Sequence, residues 1–437
     1  MSWFLYSTIT VLGAIAALVC GPVKHQAAVL GLTRPLETWE NLHGLENRVI
    51  PDTIACEDVH YHPSSGMLYS ACQGDIEQTS GWMPGADALE HPEKPGHGTI
   101  VVIDPKTLKS QKLSLINFKG SFSTHGISIY SPPSDPMIVY IFAVNHVPNP
   151  LWTAESVTEE KAASRIELFV HTVGSKTAKY VRTIAHPLIR TPNDILALSE
   201  SEFLVTNDHY YREGVMRKIE TLIVHPFQSW TDTVHVRFNP NSIDGDVDAA
   251  VALSTVSTNN GLAWGPDEQV LIGDAAGGHI YFANLVEPWA GPGTEVNRTI
   301  SISHRVSIPV IVDNPSYFSD PYAGVDGKDY SGYVMGGFAR AVDFIKDFKD
   351  PTGQALIPGH VWYLPAVAGQ DKSLDGTKLR KLIFSDNGTT ARGATTSVIV
   401  AIDPAVNEGK REGWLFVTSS ISPHMLATRI NFETTLA

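Results

Sequence analysis

Four short stretches place a carboxylate or amide pair beside strand-like apolar residues. They are Glu57-Asp58 in ACEDVHYHP, Asn193-Asp194 in TPNDILAL, Asn259-Asn260 in STNNGLAWGP and Asp313-Asn314 in PVIVDNPS. Asn and Asp are poor strand formers and good turn formers, so any one pair taken singly reads as a turn. Taken together they are a set of hard oxygen donors of the kind that suits Ca²⁺, which takes roughly six to eight oxygens at about 2.3–2.6 Å. The soft-ligand signatures of zinc or copper, Cys-x-x-Cys and His-Glu-x-x-His, do not occur in the sequence. Two histidines sit at strand ends: His125 in SFSTHGISIY, followed by Gly126, and His146 in FAVNHVPNP. Histidine is the usual general base near neutral pH, although either residue alone reads more simply as structural. No G-x-S-x-G elbow is present, which argues against a serine hydrolase.

These groups need a scaffold that gathers residues far apart in sequence. From Glu57 to Asn193 is 136 residues, then 67 to Asn260 and 53 to Asp313. Between them the chain reads as repeated short β runs: 98–104, 137–144, 165–173, 202–208, 269–275, 279–285, 360–366, 381–387 and 414–420. All are rich in Val, Ile, Phe and Tyr and bounded by Gly, Pro, Asn or Asp. GHIYFAN, GHVWYLP and GTIVVIDP look like one element reused. Degenerate repetition of this kind predicts an all-β propeller; a leader of about 45 residues leaves roughly 65 residues for each of six blades. Propeller loops converge on a central channel, so residues one blade apart can meet there. Segments 75–98 and 320–332 read as insertions, and 153–165 is the one polar segment that could be helical.

Composition narrows the function. The 437 residues are 43% hydrophobic and 18% charged, as expected of a globular chain with a sizeable core. A net charge of −14 argues against nucleic acid as a partner and is compatible with cations. Residues 3–20 are apolar and uncharged, giving either a signal peptide or a membrane anchor over 1–22, with a propeller domain over 23–437. Either directs the chain to the secretory pathway, secreted or held at a membrane or lipid surface. Cys56 and Cys72 could pair across neighbouring strands or remain buried thiols, which spacing does not decide. Asn297 and Asn387 head glycosylation triplets.

In combination, EDVHYHPSSGMLYS, STHGISIY, VNHVPN, PNDILALSESEFLVTNDHYY, NNGLAWGPD, VDNPS and DNGTTARGATTSV resemble the paraoxonase/arylesterase family, in its order, over roughly residues 55–400. The resemblance implies a six-bladed β-propeller with two calcium ions. Glu57, Asn193, Asn260, Asp313 and Asn314 would hold the exposed, catalytic ion. Asp58, Asp194 and the backbone carbonyl of Ile127 would hold a deeper, structural one. It further implies hydrolysis of small lactones and aryl esters, with His125 activating water and His146 orienting it or relaying the proton. Asp208 and His209 would lie near the site. Trp82, in a segment matching the family's active-site lid, would line the pocket. The chain departs from the family in three ways. Its C-terminal NFETTLA lacks the usual cysteine, so ring closure must rest on strand pairing; the lid segment Trp82-Met83-Pro84-Gly85 is longer; and 315–380 matches poorly. The alternatives are a sugar-lactonase-like propeller and a non-catalytic propeller in which calcium is purely structural.

Overall fold

The computed structural model describes residues 21, 23–221, 229–240, 247–287 and 297–437. The apolar segment 3–20 lies outside them, and no helix among the described residues is long and apolar enough to cross a membrane.

Six antiparallel sheets follow one another along the chain, and each contains four consecutively hydrogen-bonded strands running outward from an innermost one. The innermost strands are Cys56–His62, Thr124–Tyr130, Pro192–Ala197, Asn259–Trp264, Ile311–Phe318 and Ser397–Ala401. Each touches the next, and the last touches the first, closing a ring. This is the six-bladed propeller that the repeats predict. All nine predicted β runs are strands, displaced by a few residues at their ends. The second blade gains a fifth, parallel strand at its rim, Ser114–Ile116.

The strands read as nearly continuous apolar runs because every blade is covered on both faces. Side chains alternate between the faces of a sheet. In Ile138–Pro148, Val139, Ile141 and Ala143 pack with Tyr69 and Ile100 of the first blade, while Phe142 and Val144 pack with Ile195 and Phe203 of the third. Equivalent apolar clusters fill the other four interfaces between blades.

The ring is closed by the N-terminal part of the chain. Strand Glu46–Ile50 pairs antiparallel with Met425–Asn431 and completes the sixth blade. Ring closure therefore rests on strand pairing. Cys56 and Cys72, left open by sequence, are disulfide-bonded and face each other across the first two strands of the first blade. Segment 153–165 is not helical. Thr153 and Ser156 close a turn by mutual hydrogen bonds, Asn149 caps the Glu160 carbonyl, and a strand begins at Ala162. A short polar segment with no apolar face to bury gains nothing from a helix. Of the two predicted insertions, 75–98 carries a short helix, Ile76–Gly81, and a small hairpin pairing Trp82 with Leu89.

Before joining the sixth blade, residues 25–43 cross the fourth and fifth. His25 bonds the Gly277 carbonyl, Arg34 bonds that of Ala339, and His43 bonds Asp386. This crossing buries His360, whose ring lies 5.1 Å from that of Trp39. Burial, reinforced by the Arg34 charge, pushes the His360 pKa down to about 3. An unfolded histidine titrates near 6.5, so protons favour the unfolded chain; this contribution is complete above pH ~6.5 and is lost as pH falls toward the folded value. Between pH 7 and 5 the loss is about 2 kcal/mol. The His360→Phe variant is expected to lose correspondingly less over that interval. Urea melts at both pH values check this, and equal losses in the two proteins would refute it.

Candidate active site

Each of the first five innermost strands carries one residue more than its partner at the same end. The extra residue falls between Cys56 and Asp58, Thr124 and Ile127, Pro192 and Ile195, Asn259 and Leu262, and Val312 and Pro315. Such a bulge unpairs the local backbone and re-aims side chains. The residues inside these five bulges are Glu57, His125 with Gly126, Asn193 with Asp194, Asn260 with Gly261, and Asp313 with Asn314. Glu57, Asn193-Asp194, Asn260 and Asp313-Asn314 are thus not turns; they occupy the same irregularity repeated round the ring, while Asp58 and Asn259 keep regular strand register. Gly126 and Gly261 allow the close approach. A Cβ at Gly126 would sit 2.6 Å from Asp194 Oδ1, and one at Gly261 would sit 2.4 Å from Asn314 Oδ1.

Glu57, Asn193, Asn260, Asp313 and Asn314 stand in bulges at the same end of the ring's innermost strands, all buried. Asn314 Nδ2 donates to Glu57 Oε1 at 2.7 Å, and Asp313 lies beside the Asn260 side chain. Four oxygens of this cluster are buried without a hydrogen-bond partner: Glu57 Oε2, Asn193 Oδ1, Asn260 Oδ1 and Asn314 Oδ1. Buried polar atoms are seldom left so, because each costs roughly 1–3 kcal/mol. Burial first, then mutual repulsion among Asp313, Asp58 and Asp194, raises the Glu57 pKa well above its ordinary value. Asp313 and Asp194 are raised well above theirs by burial and by Asp58. A cluster of buried, mutually repelling oxygens with unused lone pairs fits a hard cation.

Asp58 and Asp194 lie behind this cluster with a residue that sequence reasoning passed over, His60. Ligand atoms of Asp58, His60 and Asp194 all fall within 4.8 Å of one another. The signal was present: His60 is two residues beyond Asp58 in one strand and so shares its face. Burial opposes charging His60, but the Asp58 carboxylate at 2.8 Å outweighs it and raises the pKa to about 9. Burial pushes Asp58 upward as well, yet His60, the Ile127 N–H and the Thr396 hydroxyl hold it below its usual range. Ile127, expected to offer its carbonyl, meets Asp58 through its N–H, which donates to Asp58 Oδ2 at 3.1 Å.

The two histidines meet. His125 Nδ1 lies 3.1 Å from His146 Nε2, and His146 Nδ1 lies 2.7 Å from Ser164 Oγ. His125 Nε2 faces Asn193 Nδ2 at 3.5 Å, so the histidine chain ends at the oxygen cluster. Burial lowers the His125 pKa to about 4 against the pull of Asp208, and burial with the neighbouring His125 holds His146 well below its usual value. Asp208 is buried near them, 3.1 Å from His209 Nδ1. Asn207 answers differently: its side chain accepts from the N–H groups of Arg190 and Thr191 and donates to Leu188 and Asp232, a purely structural staple.

Trp82 is buried and donates from Nε1 to the His146 carbonyl at 2.7 Å. Its hairpin covers His125. A Cβ at Gly85 would lie 2.7 Å from His125 Cε1, while the Gly85 carbonyl accepts from the buried Arg217 at 2.6 Å. Gly85→Val must displace either the hairpin or the imidazole. The His125 imidazole resonances are therefore expected to shift in Gly85→Val, and an unaltered imidazole spectrum would mean that the hairpin lifts freely.

The glycosylation candidates are both partly exposed. Asn297 Oδ1 lies 3.3 Å from His235 Nδ1, and Asn387 Oδ1 accepts from Thr389 in a turn.

An arylesterase family model matches residues 78–289. Serum paraoxonase/arylesterase 2 of Gallus gallus is 27% identical over 198 residues, 45% of this chain and 46% of that protein. Serum paraoxonase/arylesterase 1 of Mus musculus is 23% identical over 320 residues, 72% of this chain and 75% of that one. The chain spans about half the length (46%) of paraoxonase 2, and rather more of paraoxonase 1. Among solved structures, a structural-genomics target assigned as a gluconolactonase aligns at a TM-score of 0.41 with 12% identity, covering 89% of this chain and 94% of that one. The ring of six blades defines a propeller, on this chain's own strand pairing. Over about half its length the chain is thus similar to the arylesterase family model, and at modest identity to the paraoxonase/arylesterase relatives.

Proposed function

We propose that this protein is a calcium-dependent hydrolase of small lactones and aryl esters. The observation that carries the reading is the set of four unpartnered buried oxygens, on Glu57, Asn193, Asn260 and Asn314, at the end of the His125–His146 chain. With Asp313 they would hold one calcium ion. Bound there, calcium would polarise the substrate carbonyl and stabilise the oxyanion of the tetrahedral intermediate.

The chain's own residues supply the rest. With its pKa lowered by burial, His125 is neutral at neutral pH and free to take a proton from water. When it hydrogen-bonds His146 through Nδ1–H, its Nε2 lone pair is left facing the cluster. His146, held by Ser164 and by Trp82 on its carbonyl, fixes that tautomer and can receive the Nδ1 proton as Nε2 gains one. The Trp82 hairpin excludes bulk water from the two rings. Asp208 and His209 would line the wall beside them. Secretion accords with the Cys56–Cys72 disulfide, since such bonds persist in oxidising compartments, and with the serum origin in the relatives' names. The 3–20 segment would serve as leader or as lipid anchor.

The test is hydrolysis of an aliphatic δ-lactone and of phenyl acetate side by side, with and without a calcium chelator. Activity is expected to vanish on chelation and to return with calcium, and the lactone-to-ester ratio names the preferred class. A folded, calcium-loaded protein inert toward both would point to the non-catalytic propeller.

A further inference from the structure

The resemblance implies a second calcium ion between Asp58 and Asp194, and the residues there do not fit one. In the outer cluster, four oxygens have no partner. In the deep cage every carboxylate oxygen is already used. Asp58 Oδ1 accepts from the Val59 N–H at 2.7 Å and the Thr396 hydroxyl at 3.0 Å, and Oδ2 accepts from the Ile127 N–H at 3.1 Å and from His60 Nε2 at 2.8 Å. Asp194 Oδ1 accepts from the Ile195 N–H at 2.7 Å, and Oδ2 from the Leu262 N–H at 2.6 Å. The atom that closes the cage is an imidazole nitrogen, whereas calcium takes oxygen donors. A calcium ion entering the cage would have to separate His60 from Asp58.

We propose that the deep cage takes no calcium, and that the His60 side chain, donating from Nε2 to Asp58, fills the place between the two carboxylates. The cross-blade tie that an ion would make is then made by side chains. His60 and Asp58 stand on the first blade, Ile127 on the second, Asp194 on the third and Thr396 on the sixth. Substituting a small oxygen ligand for the imidazole should open the cage to an ion.

The full chain purified in calcium-containing buffer is assayed for metals by plasma mass spectrometry, and its calcium sites are located by anomalous scattering. One calcium per chain, at the outer cluster, is expected, with no transition metal. His60→Asp is expected to raise the count to two. Two calcium ions in the unaltered protein would overturn the inference and leave the hydrolase reading intact. A zinc or manganese ion lost on His60→Asp would also overturn it, because the imidazole would then be a ligand. A folded His60→Asp protein that stays at one ion would refute His60 as the group that excludes calcium. No calcium at all in the unaltered protein would sink the outer-cluster reading while the deep-cage inference stood. If His60→Asp fails to fold, the count and position in the unaltered chain decide the matter.

Discussion

Asn193→Ala is expected to lower hydrolysis of phenyl acetate on the order of 10³-fold, a loss comparable with removal of a principal oxyanion-stabilising group. Asn193 sits in a bulge that re-aims its side chain, with Oδ1 buried and unpartnered and Nδ2 3.5 Å from His125. It is the residue through which the oxygen cluster and the histidine chain touch. Truncation removes a proposed ligand and frees the His125 ring at once. Two readouts separate these roles. If Asn193 serves only as a ligand, raising calcium restores the rate; if it also orients His125, kcat stays low at saturating calcium. The paired His125→Gln variant should lose rate without losing calcium. An Asn193→Ala enzyme as fast as the unaltered one at every calcium concentration would remove this cluster from the reaction.

Arg411→Ala is expected to destabilise the protein by about 3–5 kcal/mol, the usual consequence of stripping one partner from a buried ion pair. Arg411 and Asp320 are both buried, with Nη2 2.5 Å from Asp320 Oδ2 and Nη1 2.6 Å from Asp326 Oδ1. The guanidinium also lies over the Tyr330 ring, 5.0 Å from its centroid. These contacts pin the 320–331 insertion of the fifth blade to the start of a sixth-blade strand. Without Arg411, Asp320 keeps only the N–H groups of Tyr322 and Tyr330. The double variant Arg411→Met/Asp320→Asn is expected to recover much of the loss, since no charge then stays buried alone. Denaturant midpoints at fixed calcium measure both, and a loss under 1 kcal/mol in the single variant would show that water reaches Asp320.

Much of this was legible from residue types. The apolar runs gave the strands because each blade is buried on both faces, and blade-length intervals between oxygen-rich pairs gave the convergence. The bulges were not legible. They depend on counting residues against a partner strand, and sequence read alone does not contain the register. That is why Asn193-Asp194 taken singly reads as a turn. His60 is hidden for another reason: in a strand the neighbour on the same face is two residues away, so an adjacent pair such as Glu57-Asp58 does not include it. The Cys56–Cys72 bond required knowing that the two residues lie opposite each other. Asn207-Asp208 resembles the ligand pair in composition but sits in the second strand of its blade, so Asn207 turns to the backbone around it.

The pairing of Glu46–Ile50 with Met425–Asn431 sets an order of events in folding. Glu46 meets Arg429 and Ile50 meets Met425, partners separated by nearly the whole chain. Closing so long a loop carries an entropic cost that early contacts cannot offset, and non-local sheet pairing is slow. During synthesis the first strand emerges early and must wait, while five blades assemble from neighbours in sequence. Until it is captured, the strand from Met425 to Asn431 presents an open edge, the kind of surface on which chains associate. The vulnerable species of this protein is therefore a late, nearly complete ring with one unpaired edge, and its yield depends on how quickly its two ends find each other.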